Sequence, residues 1–156
     1  MDLQLKGKVA LITGGTVGIG LAVARGLAKE GVKVAICGRD GERAQREATA
    51  IKAEFGIDAL GFASDVSKVG AAEAAMAAVE QAFGGLDILV NNAGTGSSET
   101  ILEASDERWQ QYWDLHVMAA VRFSRAAAPL MIKRGGGVIL ATASAICRKA
   151  PSVAFA

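Results

Sequence analysis

Apolar residues in this chain fall in short unbroken runs, and that pattern constrains the fold more tightly than any other feature of the sequence. The runs cover residues 9–13, 32–37, 59–63, 86–90 and 138–142. A strand with one wet face alternates apolar and polar side chains, whereas a strand covered on both faces is apolar throughout. Continuous runs therefore predict a parallel sheet sandwiched between helices. The intervening segments have helical character. Residues 19–29 place Ile19, Val23, Leu27 and small alanines on one face before Gly31 stops the helix. Residues 41–55 are charged and amphipathic. Residues 69–83 are alanine-rich, with Ser67 available as an N-cap and Gly84-Gly85 as the stop. A long helix is expected over 105–133, capped by Ser105 or Asp106 and bent or interrupted near its end by Pro129. Strands and helices thus alternate with connections of the length used by right-handed crossovers, which predicts one doubly wound α/β domain spanning residues 1–156.

Composition narrows the function classes. The chain has 156 residues, 51% hydrophobic and 21% charged, enough apolar surface for one globular core. A net charge of +1 removes the electrostatic case for a nucleic-acid binder or an anionic-membrane binder. No apolar run approaches the roughly 18 residues of a membrane span, and Met1 to Lys6 lack a basic region followed by an apolar stretch. Cys37 and Cys147 have no Cys or His neighbour at metal-ligand spacing, so no metal is expected and both are read as reduced thiols. A cytoplasmic protein is the expectation. The 19 glycines are in excess of ordinary usage, which calls for a local cause.

That cause is the segment Thr13-Gly14-Gly15-Thr16-Val17-Gly18-Ile19-Gly20, directly after the first strand and opening a helix. Glycines there allow a tight turn, close approach of backbone to a ligand, and close packing of helix on strand. The helix N-terminus they form favours an anion such as pyrophosphate. A tight βα turn with no ligand would use the same residues. The spacing is G-x-x-x-G-x-G, not the G-x-G-x-x-G of the common dinucleotide fingerprint. The second strand ends Gly38-Arg39-Asp40, where an adenine ribose would lie. Gly38 leaves space and the Arg39 fork suits a 2′-phosphate, so NADP(H) is favoured, while Asp40 one step on could partly restore NAD binding. Alternatively Arg39 is simply a solvated turn residue.

The variant glycine loop, Asp65-Val66 after the third strand, Asn91-Asn92-Ala93-Gly94 after the fourth and Ser144 after the fifth occur in register along the whole chain. In this the chain resembles the short-chain dehydrogenase/reductase family. The resemblance implies a Rossmann-type oxidoreductase that moves hydride between NAD(P)(H) and a small carbonyl or alcohol substrate, often as a homo-oligomer. It implies that Gly14, Thr16, Gly18, Ile19 and Gly20 hold the cofactor, that Asp65 meets the adenine amino group and that Val66 lines the adenine pocket. Asn91, Ala93 and Gly94 would line the cofactor too, with Asn91 also tying neighbouring strands together. Val17 departs from the basic residue that many NADP-preferring relatives carry in this loop. For Asp65 a cap on the following turn is the bland alternative, and for the NNAG tetrad a purely structural role.

Ser144 matches the family serine that orients the reacting oxygen. His116, the only histidine, has helical neighbours Trp113, Val117 and Ala120 that predict a partly buried face. It stands where the family usually has an asparagine that helps hold a proton-relay water, so an imidazole either conducts the proton or the site works without it. By family spacing the catalytic tyrosine is the residue after Ala156, with a lysine four residues beyond it. Tyr112 cannot be carried over to that role. Residues 1–156 then hold five strands without the family's later strands and helices, and taken alone are expected to be inactive. Three readings stay open: an oxidoreductase with further chain, a nucleotide-binding module without turnover, and a non-catalytic protein that pairs through its exposed sheet edge and long helix.

Overall fold

The computed structural model describes residues 3–96 and 98–143. Its strands are β1 (Val9–Thr13), β2 (Lys33–Gly38), β3 (Ala59–Ala63), β4 (Ile88–Asn91) and β5 (Val138–Ala141). They form one parallel sheet in the order β3-β2-β1-β4-β5. Helices α1 (Gly18–Lys29), α2 (Gly41–Phe55) and α3 (Ala71–Phe83) fill the first three crossovers. The last holds α4 (Asp106–Tyr112), a π turn (Trp113–Met118) and α5 (Ala119–Lys133). Among the described residues no helix is long and apolar enough to cross a membrane.

The unbroken apolar runs are explained by two cores, one on each face of the sheet. Val9, Leu11, Ala35, Cys37 and Leu89 pack with Met76 and Val79 of α3 and with Phe123, Ala127 and Met131 of α5. The alternate residues Ala10, Ile12, Val34, Ile36, Ile88 and Val90 pack with Ala24 and Ala28 of α1 and Ala48 and Ile51 of α2. Successive strand side chains point to opposite faces, so both parities must be apolar. The edge strand β5 departs from this, with Val138, Ile139 and Leu140 exposed.

Three expectations need correcting. The helix expected from residue 69 starts at Ala71, because Gly70 takes the cap position at φ +85° and the Ser67 hydroxyl is already bound to Asp65. Pro129 does not interrupt its helix: α5 continues to Lys133, since burial of Phe123, Ala127, Leu130 and Met131 outweighs the loss of one N–H bond. The irregularity lies earlier, in the π turn, a widened stretch that adds a residue to the helical register.

At the N-terminal end of the sheet, Asp87 ties three segments together. It is only 5% exposed. Val9 N–H donates to Oδ2 (2.8 Å), and Arg134, just past α5, donates from Nε to Oδ1 (3.0 Å) and pairs through Nη2 with Oδ2 (2.9 Å). Burial pushes this carboxyl up, but the Arg134 and Val9 hydrogen bonds and the charges of Arg134 and Lys8 outweigh it, so it sits below the ordinary aspartate value. A carboxyl depressed in the folded state stabilises the fold above its unfolded pKa of about 3.9, and that contribution is lost as pH falls through the folded value. Asp87→Asn should therefore cost about 1.5–3 kcal/mol near neutral pH. Denaturant melts at a series of pH values check this, and the variant should lose less stability than the parent below about pH 4.

Candidate functional site

The chain proceeds outward through β1, β2 and β3, then returns to add β4 and β5 on the other side of β1. The connections leaving β1 and β4 therefore part, and a crevice opens at the C-terminal ends of those two strands. A cleft of about 560 Å³ occupies it, a size within the range of small-molecule sites.

Its floor is made by side chains that tie the strand ends. The Thr13 hydroxyl accepts from the backbone N–H groups of Asn92 and Ala93, both at 3.0 Å. Asn92 Nδ2 donates to the carbonyls of Thr13 (3.1 Å) and Gly14 (3.3 Å), and its Oδ1 accepts from the Thr142 hydroxyl (3.1 Å). The side-chain tie between strands expected of Asn91 thus belongs to Asn92. Asn91 Nδ2 instead donates to Ser124 of α5, because alternation along β4 turns it toward the helical layer. Asn91 lines a smaller adjoining cavity of about 100 Å³, not the main cleft.

Gly14, Thr16, Gly18, Ile19 and Gly20 all line the cleft. Gly20 has no room for a side chain, since a Cβ there would lie 2.3 Å from the Gly14 carbonyl oxygen. Gly18 faces open space but has φ +54°, a conformation that glycine tolerates best. The N-terminus of α1 beside them has no side-chain cap and no acidic residue in its first turn, unlike α2, which Asp40 caps, and α4, which Ser105 caps. Its free N–H groups and dipole are therefore available to an anion.

Arg39, Asp65, Val66, Ala93 and Gly94 also meet in this cleft. The space beside Gly38 is taken by Thr16, which a Cβ on Gly38 would approach to 3.0 Å. Asp65 does form the turn that a structural reading allows: its Oδ1 accepts from the Ser67 hydroxyl (2.7 Å) and N–H (3.1 Å). Those bonds, Lys68 and Arg39 hold its carboxyl below the ordinary range although burial opposes them, so an anion faces the Arg39 cation. Asp40 is not among the lining residues. It accepts from the Arg43 N–H (2.9 Å) as the cap of α2, which draws it away from the ribose position the sequence allowed. Cys37 lies buried under the glycine loop, and burial pushes its thiol up to about 12.

The fourth wall is one the sequence reading missed. Arg108, Gln111, Tyr112 and Leu115 line the cleft from α4 and the π turn. Their spacing along one helical face was the available signal. Arg108 donates to Glu99 (2.8 Å) and Gln111 (3.1 Å) and lies 5.4 Å from the Tyr112 ring centre. His116 is exposed, not partly buried, because Leu115 and Ala119 face the core. Its Nε2 is 2.9 Å from the Thr95 carbonyl, and its ring stacks on Tyr112 with centres 5.8 Å apart. Ser144 and Cys147 lie outside the described residues.

The two glycines at the start of α1 should respond differently to alanine. Gly20→Ala forces apart backbone atoms that cannot yield separately and should cost about 3 kcal/mol, the upper end for an overpacked site. Gly18→Ala strains only its own backbone, at about 1–2 kcal/mol. Thermal melts of both variants, compared with the parent, measure the difference.

Comparison with known proteins places these features in a family. The model of the short chain dehydrogenase family matches residues 8–156. An uncharacterized oxidoreductase of Bacillus subtilis, YvrD, is 41% identical over 144 residues, which is 92% of this chain and 54% of that protein. The chain thus spans about half the length of this curated relative. Among solved structures, L-sorbose reductase from Gluconobacter frateurii complexed with NADPH and L-sorbose is 50% identical with a TM-score of 0.93, covering 99% of this chain and 59% of that one. A short chain dehydrogenase from Burkholderia cenocepacia in complex with NADP is 36% identical with a TM-score of 0.86, covering 96% and 60%. With the family model spanning nearly the whole sequence and these structures superposing on its five-stranded sheet, the chain belongs to the short chain dehydrogenase family.

Proposed function

We propose that this chain forms the nucleotide-binding part of an NADP(H)-dependent oxidoreductase acting on a small carbonyl or alcohol. The observation that carries the proposal is the uncapped, acid-free N-terminus of α1, opening into the switch-point cleft beside Arg39. The residues fit such a cofactor: a Cβ on Gly18 meets nothing within 4 Å, so the loop presents bare backbone to the cleft, and Arg39 supplies a cation where a 2′-phosphate needs one. The complexes of the sorbose reductase with NADPH and of the Burkholderia protein with NADP support this choice.

In this reading the N–H groups of the glycine loop bind pyrophosphate, Asp65 and Val66 border the adenine, Ala93 and Gly94 lie along the cofactor toward β5, and Asn91 reaches it only from the smaller adjoining cavity. The nicotinamide, when bound, supplies or accepts the hydride. Ser144 donates a hydrogen bond to the reacting oxygen and orients it. A hydroxyl of ordinary acidity cannot readily exchange the proton near neutral pH, so this reading requires a separate general acid, a role to which Tyr112 is not carried over. Assembly of copies belongs to the same reading, supported by Trp109, Trp113 and Val121, all exposed on the outer side of the long helix. So does a cytoplasmic location, supported by the free, buried Cys37.

Two measurements test this. Arg39→Ala should weaken NADPH about 10- to 100-fold while leaving NADH nearly unchanged, as expected for one charge-assisted contact to phosphate. Equal losses for both nucleotides in a titration would remove Arg39 as the phosphate reader. A polypeptide ending at Ala156 should bind NADPH yet reduce a panel of aldehydes and ketones at least about 100-fold more slowly than one carrying a following tyrosine and lysine. Comparable NADPH consumption by the two would place the proton donor within residues 1–156.

A further inference from the structure

The turn between β3 and α3 carries Asp65, Val66 and Ser67 of the main cleft's wall. Its start is pinned to the sheet, where the Ser64 N–H donates to the Gly38 carbonyl (2.8 Å), and the β2–β3 pairing ends there. Within the turn Ser67 gives Asp65 Oδ1 both its N–H (3.1 Å) and its hydroxyl (2.7 Å). These bonds orient the carboxylate against Ser67. They are local, however, and would hold equally well if the turn swung as a unit.

Ser67 itself is held from the helical layer. Arg122 of α5, 55 residues away in the sequence, donates from Nη1 to the Ser67 carbonyl (3.0 Å). Its Nη2 lies 3.6 Å from Asp114 Oδ1 on the π turn, and the Arg122 side chain is only 19% exposed. A planar guanidinium can hold two partners at a set angle, which a single ammonium group cannot. The π turn helps to aim it. Residues eight apart on a regular α-helix lie about 80° apart around the axis, and the residue added by a π turn brings them nearer to one line. Arg122 is thus steadied by Asp114 from below and reaches across to Ser67, yet it is not among the residues that line the cleft.

We propose that Arg122 is a positioning residue for the cofactor's base: by anchoring Ser67 it sets the Asp65 carboxylate where an amino group of the base donates to it. The inference rests on the cofactor reading above, in which Asp65 borders the adenine. Arg122 touches neither the nucleotide nor the reacting atoms and acts through Ser67 and Asp65. Its effect therefore falls on how tightly the nucleotide is held and not on the hydride step.

The test is a double-mutant cycle in the full protein with Arg122→Leu, Asp65→Ala and the variant carrying both. Binding of NADPH and of 2′,5′-ADP, which keeps the adenine and lacks the nicotinamide half, is titrated for each, and kcat is measured with a ketone at saturating NADPH. Arg122→Leu should weaken both nucleotides by the same factor, about 3- to 10-fold, as for one misplaced hydrogen bond. Its kcat should stay within about twofold of the parent, and the double variant within about twofold of Asp65→Ala, since two residues acting through one contact are not additive. If Arg122→Leu does not fold, Arg122→Gln takes its place with the same expectation, being two bonds too short to span both partners. Parent-like affinity in the Arg122 variant, losses that multiply in the double variant, or a fall in kcat with nucleotide affinity intact overturns this inference alone. An Asp65→Ala variant that binds NADPH like the parent removes Asp65 from the base and the inference with it, leaving the cofactor reading in place. A parent protein that binds neither nucleotide overturns both.

Discussion

The cleft depends on one set of hydrogen bonds, those between Thr13 at the end of β1 and Asn92 just past β4. Parallel strands at a switch point are followed by chains that leave in opposite directions, and nothing in the sheet ladder holds those chains together beyond the last backbone pair. Here a hydroxyl and a side-chain amide extend the pairing past the strands. Thr13 uses its oxygen twice, for the N–H groups of Asn92 and Ala93, and Asn92 returns two bonds to the carbonyls of Thr13 and Gly14. The glycine loop is thereby fixed against the tetrad that faces it. Gly20 completes the clamp, because only a residue without Cβ lets α1 approach the Gly14 carbonyl so closely.

A second clamp, at the other end of the sheet, is built from opposite chemistry. Asp87 is a buried carboxylate that holds Val9, Arg134 and the approach to β4 by charge-assisted bonds, far from the cleft. Such a pair is costly to desolvate and more costly to break, so it fixes chain path without contributing a surface for ligand. The cleft clamp uses neutral groups only. The positive end of the α1 dipole and Arg39 then set the potential of the cleft against a single lining carboxylate among the described residues, that of Asp65.

Most of this architecture was legible in the sequence because it rests on local signals. Unbroken apolar runs gave the parallel sheet, the α2 bounds came out as expected, and a glycine loop after the first strand located the α1 terminus. What escaped were features set by competition between neighbours. Ser67 had the chemistry of a cap, but Asp65 bound it first. Asp40 had the position for a ribose, but the Arg43 N–H holds it as a cap. Asn91 and Asn92 are indistinguishable as letters, and only strand alternation decides which of them ties the strands. Arg108, Gln111 and Tyr112 read as a polar helical face, and the tertiary fold alone brings them to the cleft.

His116 shows the same limit at a finer scale. Its helical neighbours predict a half-buried side chain, yet the π turn over Trp113–Met118 changes which residues face the sheet. A π turn adds a residue to the register, so side chains that an α-helix would turn inward are rotated away while Leu115 and Ala119 pack inward. The ring is left outside the core but not loose, since Thr95 and Tyr112 hold it on two sides. A polar ring oriented by a backbone carbonyl and seated on a residue without Cβ is set more firmly than core packing alone requires. The helical irregularity therefore does positional work for the cleft: it delivers one titratable side chain to the junction of the two cavities.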